Sequence, residues 1–147
     1  MKGRVLAIDY GRKRIGLAVS DELHLTARPL GALLRKNRRE VLRRLSEIVR
    51  DNRVGKILVG HPVHLNGESG EMSVEAERFA ARIQKGLGLP VELVDERLTS
   101  WEAEQTLAEM KIPRGKAGSR HNVDAVAAAI LLREYLERTP PPKKGQD

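Results

Sequence analysis

Three short apolar runs set the terms on which this chain can fold: Val5 to Ile8, Ile57 to Val59 and Val91 to Val94. Each is of strand length, and each is followed by a glycine or a carboxylate. Runs this short, bounded by turn residues, read as buried strands. The first leads through the turn Gly11-Arg12-Lys13 into a second strand, where Ile15, Leu17 and Val19 alternate with Gly16, Ala18 and Ser20. That pattern predicts a hairpin. A third strand is expected within Leu25 to Leu34, where Pro29 and Gly31 suit an edge or a bulge.

Helical spacing fills the intervals between the runs. Asn37 caps a stripe of Val41, Leu42, Leu45, Ile48 and Val49, while Arg38, Arg39, Arg43, Arg44 and Glu47 turn elsewhere; the stop falls near Asn52 or Gly55. Met72, Ala76, Phe79, Ala80, Ile83 and Leu87 make a second stripe, which Gly86, Gly88 and Pro90 end. A third helix is expected from Thr99 or Ser100 to about Met110, then a loop over Ile112 to Arg120, then a last helix from about Asn122 to Leu136. The order is that of an α/β fold, an antiparallel ribbon joined to a parallel part by helical crossovers.

At 147 residues the chain suffices for one domain, expected over residues 3–137, with the Pro/Lys-rich tail 138–147 disordered. Cysteine is absent, which excludes a disulfide framework and a thiolate zinc site and suits a reducing cytoplasm. No apolar run approaches the roughly 20 residues of a membrane span, and no signal-peptide core follows Met1, so a soluble cytoplasmic protein with no membrane partner is expected.

Charge narrows the chemistry. The net charge of +7 favours phosphate backbones, with an affinity that falls as salt rises. Part of that charge is ordinary solvated surface. One Trp, two Tyr and one Phe are too few for extensive base stacking, so backbone contacts are the expected mode. Against this basic background Asp9 closes the first apolar run, Glu96 follows the third, and Asp124 falls inside the Ala-rich last helix. At about 100° per residue Asp124 points along the buried arc, between Leu131 and Ala128. A carboxylate there needs a cation, strong donors or a cleft. The alternative is that Asp124 caps a helix that starts late, and each of the other acids alone also reads as a turn residue. Asp95 and Glu96 face opposite ways on a strand, and the spacing alone leaves open which of them enters a site. Three carboxylates together suit one or two Mg²⁺ or Mn²⁺ ions and phosphodiester hydrolysis.

Four segments carry a likeness to a known family. Asp9-Tyr10-Gly11-Arg12-Lys13-Arg14-Ile15-Gly16, Gly60-His61-Pro62 with Asn66-Gly67, Asp95-Glu96-Arg97-Leu98-Thr99-Ser100, and His121-Asn122-Val123-Asp124-Ala125-Val126-Ala127-Ala128 together resemble the YqgF (RuvX) family. Its members are described as pre-16S rRNA nucleases and Holliday-junction resolvase-like proteins. One departure is His61, where the family usually has an apolar residue. The resemblance implies an RNase H-like fold, a mixed five-stranded sheet flanked by helices. It also implies that Asp9, Glu96 and Asp124 are the metal-binding and catalytic acids, which decides Glu96 over Asp95.

Around those acids Arg14, Arg97, Thr99 and Ser100 are candidate phosphate contacts, as are Arg114, Lys116 and Arg120 of the basic loop; for Arg14 and Arg97 structural pairing with nearby acids is the equal alternative. His61 and His64 lack a third ligand nearby and make a weak zinc site. Gly11 and Gly16 have the glycine spacing of a P-loop, but Leu17 and Ala18 stand where Lys and Ser or Thr are needed. The expected function is a Mg²⁺- or Mn²⁺-dependent endonuclease acting on precursor 16S rRNA, as monomer or homodimer. The rivals are a resolvase of branched junction DNA using the same acids and a non-catalytic RNA-binding assembly factor.

Overall fold

The computed structural model describes residues 3–61, 71–95 and 119–138. Along them run β1 (Arg4–Tyr10), β2 (Arg14–Ser20), β3 (Ala27–Leu34), α1 (Arg38–Asp51), β4 (Val54–His61), α2 (Glu71–Leu87), β5 (Val91–Asp95) and α3 (Ser119–Arg138). The strands form one sheet in the order β3-β2-β1-β4-β5. β1, β2 and β3 pair antiparallel, while β4 joins β1 and β5 joins β4 in parallel. This is the mixed five-stranded α/β sheet that the alternation of strands and helices implies.

The period of two along each strand divides the interior into two cores. Leu6, Ile8 and Tyr10 of β1, with Ile15, Leu17 and Val19 of β2, pack against Val41 and Leu45 of α1 and against Ala76, Phe79, Ala80 and Ile83 of α2. Val5, Ala7, Ala18, Leu58 and Val94 point the other way, onto Ala128, Leu131 and Leu132 of α3. The connections β3-α1-β4 and β4-α2-β5 progress in the same direction across the sheet, and right-handed crossovers then put both helices on one face. Each fully buried Leu or Ile contributes about 1.5–3 kcal/mol, so the two faces together hold the sheet between its helices.

Local signals act much as the sequence predicts. The Asn37 side chain accepts hydrogen bonds from the backbone N–H of Arg39 at 2.8 Å and of Glu40 at 3.3 Å, fixing the start of α1, and Asn52 caps its end. Gly88, at φ +69°, ends α2, whereas Gly86 lies inside the helix, where a methyl would come within 3.1 Å of Leu42. β3 is an edge strand, and its register with β2 shifts between Leu17 and Ala18, opposite Gly31 and Pro29. It starts at Ala27 and not Leu25, because the Asp21 carboxylate accepts the N–H groups of Leu25 and Thr26 at 2.7 and 2.9 Å and holds them in a turn.

Other elements outrun their apolar runs. β1 continues through Asp9 to Tyr10 and β4 through Gly60 to His61, since ladder pairing with neighbouring strands satisfies the backbone whatever the side chain. α3 begins at Ser119, ahead of the expected Asn122. The expected helix from Thr99 to Met110, the loop up to residue 118, the tail 139–147 and the side chain of Met72 lie outside the described residues. Among the described residues no helix is long and apolar enough to cross a membrane.

Candidate active site

Asp9 stands one residue before the end of β1, paired across the sheet with Gly16 on β2 and Gly60 on β4. It shares the strand face of Val5 and Ala7, the face that α3 covers. The two positions that flank it in the sheet are thus both glycine. The parallel strands β1, β4 and β5 end together at this edge, with Asp9 beside Gly60 and His61 beside Asp95. Ligands of open α/β sheets bind beyond such carboxyl ends.

Gly16 does more than leave room. A methyl at this position would lie 2.0 Å from the carbonyl oxygen of Asp124, 2.4 Å from its carbonyl carbon and 3.0 Å from its Cβ. The α3 backbone therefore sits where any side chain at residue 16 would be. One glycine holds two acids together, since the residue beside Asp9 in the sheet is also the one on which Asp124 rests. Asp124 is five residues into α3, so it is a helix-interior residue and not a cap.

Arg14 faces the same acid. Its Nε donates to Asp124 Oδ2 at 2.7 Å, with the two side chains 23% and 25% exposed. A charge-assisted bond in a half-buried setting supplies the strong donor that a carboxylate on the inner arc of a helix requires. Of the two roles open to Arg14 from the sequence, the structure realises the pairing with an acid.

Arg35 has no counterpart among the residues singled out by sequence. Its Nη1 donates to the carbonyls of Gly11 at 2.7 Å and Arg12 at 2.8 Å, its guanidinium lies 4.3 Å over the Tyr10 ring, and Nη2 is 3.7 Å from Glu75. It thereby clasps the turn that joins Asp9's strand to Arg14's. The one available signal was register: Leu34 pairs with Arg14, so the next residue falls beside the turn.

Farther along the α3 face, Lys56 Nζ donates to Glu92 Oε1 and to the Tyr135 hydroxyl, both at 2.7 Å. Burial draws the lysine's pKa down, but these two partners outweigh it and hold it above the ordinary value. The triad fastens α3 to β4 and β5.

Carboxylate oxygens are the hard donors that Mg²⁺ and Mn²⁺ take, so the donor chemistry of Asp9 and Asp124 fits a divalent ion. Among the described residues these two acids are not joined by a third acid or a histidine. Glu96, Arg97, Thr99, Ser100, Arg114 and Lys116 lie outside the described residues. Arg120 falls in the first turn of α3, with its side chain outside them.

The family model for RuvX, described as Holliday junction resolvase, matches residues 3–138. The chain belongs to the RuvX family. A RuvX relative from Koribacter versatilis (strain Ellin345) is 43% identical over 136 residues, which cover 92% of this chain and 88% of its own length. One from Anaeromyxobacter dehalogenans (strain 2CP-C) is 42% identical over 138 residues, 94% of this chain and 99% of its own. Both bear the name "Putative pre-16S rRNA nuclease". Among solved structures, Thermus thermophilus RuvC in complex with a Holliday junction substrate superposes with TM-score 0.54 at 19% identity, over 92% of this chain and 95% of that one. The Fowlpox virus Holliday junction resolvase does so with TM-score 0.55 at 12% identity, over 92% and 99%. At these identities the likeness is one of fold, and the fold of this RuvX chain is RNase H-like.

Proposed function

We propose that this RuvX-family chain is a divalent-metal-dependent endonuclease of the cytoplasm that hydrolyses phosphodiester bonds in precursor 16S rRNA, in processing of its 5′ end during ribosome biogenesis. One observation carries the reading: Gly16 brings Asp9 and Asp124, acids more than a hundred residues apart, to one spot on the sheet edge. The choice of RNA draws on the names of the relatives.

Asp9, Asp124 and Glu96 are the proposed metal-binding and catalytic acids. Support for Glu96 over Asp95 comes from β5, where Val94 packs into the α3 core and Glu92 bonds Tyr135 of α3, so the period of two favours residue 96 for the same face. A bound Mg²⁺ or Mn²⁺ supplies the Lewis acidity that phosphodiester hydrolysis requires. Arg14 fixes the orientation of the Asp124 carboxylate and offsets part of its charge, while Gly16 lets α3 bring Asp124 in beside Asp9. Arg97, Thr99, Ser100, Arg114, Lys116 and Arg120 are proposed phosphate contacts.

The description of the family favours a second substrate, branched junction DNA, at the same acids. The test is cleavage of end-labelled precursor 16S rRNA and of a four-way DNA junction with Mg²⁺ or Mn²⁺, using wild type, Asp9→Asn and Asp124→Asn, with folding checked by circular dichroism. RNA cleavage that falls about 10³-fold in both variants, some 4 kcal/mol of barrier, is expected. Undiminished cleavage by either variant removes the site. Cleavage of the junction alone selects the DNA reading, and binding without cleavage of either leaves the RNA-binding assembly factor.

A further inference from the structure

On the sheet face opposite the carboxylates, a cleft of about 470 Å³ opens between α1 and α2. Tyr10, Ile15, Phe79 and Ile83 contribute its apolar floor, and Arg35, Lys36, Arg38, Arg39, Arg78 and Arg82 its rim, against a single acid, Glu75. Glu75 is engaged by Arg35. Among the described residues, Lys36, Arg38, Arg39, Arg78 and Arg82 have no carboxylate partner. The outer face of α1 differs: there Arg43 pairs with Glu40 and Glu47, Arg44 with Glu47, and Arg50 with Asp51. Five cations left together around a concavity repel one another, and such an arrangement focuses a positive field on whatever enters.

The cleft and the acids are two sides of one hairpin. Tyr10 follows Asp9, and Ile15 stands between Arg14 and Gly16, so alternation along β1 and β2 sends the acid, Arg14 and Gly16 to one face and the cleft floor to the other. Over the turn between them lie Arg12 and Lys13, both exposed, and Arg35 bonds the carbonyls of that turn from the cleft side. Cationic groups therefore continue from Arg14 across the turn into the cleft.

We propose that the α1–α2 cleft is a second binding site for nucleic acid, holding the phosphodiester backbone of one strand that passes from the carboxylate site over the Gly11–Lys13 turn. The proposal rests on the nuclease reading for the direction of the strand. A volume of this size takes a small ligand or a short length of a single strand and is too narrow for a double helix. Tyr10 and Phe79 are buried against each other, so bases have no open ring to stack on and the contact is with phosphates, without regard to sequence.

The experiment is fluorescence anisotropy in EDTA, so that nothing is cleaved, with labelled single-stranded RNA and DNA of one sequence and a duplex of equal length, titrated from about 50 to 200 mM salt. Arg78→Ala/Arg82→Ala, both exposed, is compared with wild type and with the paired-cation control Arg43→Ala/Arg44→Ala. Expected is a roughly tenfold loss of single-strand affinity and a salt slope shallower by about 1.4, with little change in the control. Whichever of RNA and DNA shows the loss is the strand that the cleft takes. Wild-type affinity and slope in the cleft variant overturn the proposal, as does an equal loss in the control or a loss confined to the duplex. Cleavage that needs Asp9 while the cleft variant binds normally would remove the cleft and keep the nuclease reading. A binding loss in the cleft variant without any cleavage by wild type would do the reverse.

Discussion

The two faces of the sheet are built from alternate residues of the same strands, yet they are packed on different principles. Toward α1 and α2 the strands present Leu6, Ile8, Tyr10, Ile15, Leu17 and Val19, large side chains that keep the helices at the usual distance and fill the space between. Toward α3, β1 and β2 present Ala7, Gly16 and Ala18, and α3 comes down until its backbone touches the sheet. The first face gives stability through volume. The second gives up volume for proximity, and proximity is what lets an acid on a helix join an acid on a strand.

Neighbouring residues 16 and 17 make that contrast testable. Leu17→Ala empties the large-residue core and is expected to lower unfolding free energy by about 2–5 kcal/mol in urea titration, while cleavage per folded molecule stays near wild type. Gly16→Ala should cost less, about 1–3 kcal/mol, but the displaced helix should carry Asp124 away from Asp9 and abolish cleavage in the folded fraction. If Gly16→Ala keeps full activity, the close approach is not what assembles the site. The smallest effect is expected at Lys56, whose raised pKa means that its contribution is complete below the ordinary value of 10.5 and fades as pH climbs through the higher folded value. Lys56→Met should therefore lose about 1 kcal/mol at pH 7. The gap between variant and wild-type thermal midpoints should close at strongly alkaline pH. A gap independent of pH would assign the loss to packing of the lysine stem.

What the sequence makes legible is local or periodic. Asn37 as a cap, Pro29 and Gly31 in an irregular edge strand, and Asp124 on the inner arc of its helix all follow from geometry within a few residues. Contacts between distant segments have no such trace. The Arg14–Asp124 pair spans 110 positions, and Gly16 looks like any hairpin glycine until α3 is seen resting on it. The basic cleft is hidden for the same reason: Arg35 and Lys36 belong to a linker and Arg78 and Arg82 to a different helix, and on its own helix each reads as solvated surface. The resemblance to the RuvX family, not spacing, selects Glu96.

The irregularity of β3 has a consequence for how molecules meet. Among the described residues no strand pairs with its outer side, and such a margin is one along which another molecule's strand can add. Pro29 offers no N–H there, and the register shift beside Leu30 breaks the margin into two short pieces. A ladder between two molecules begun at either end of β3 stops within a few residues, so this margin resists the sheet-to-sheet growth that ends in fibres.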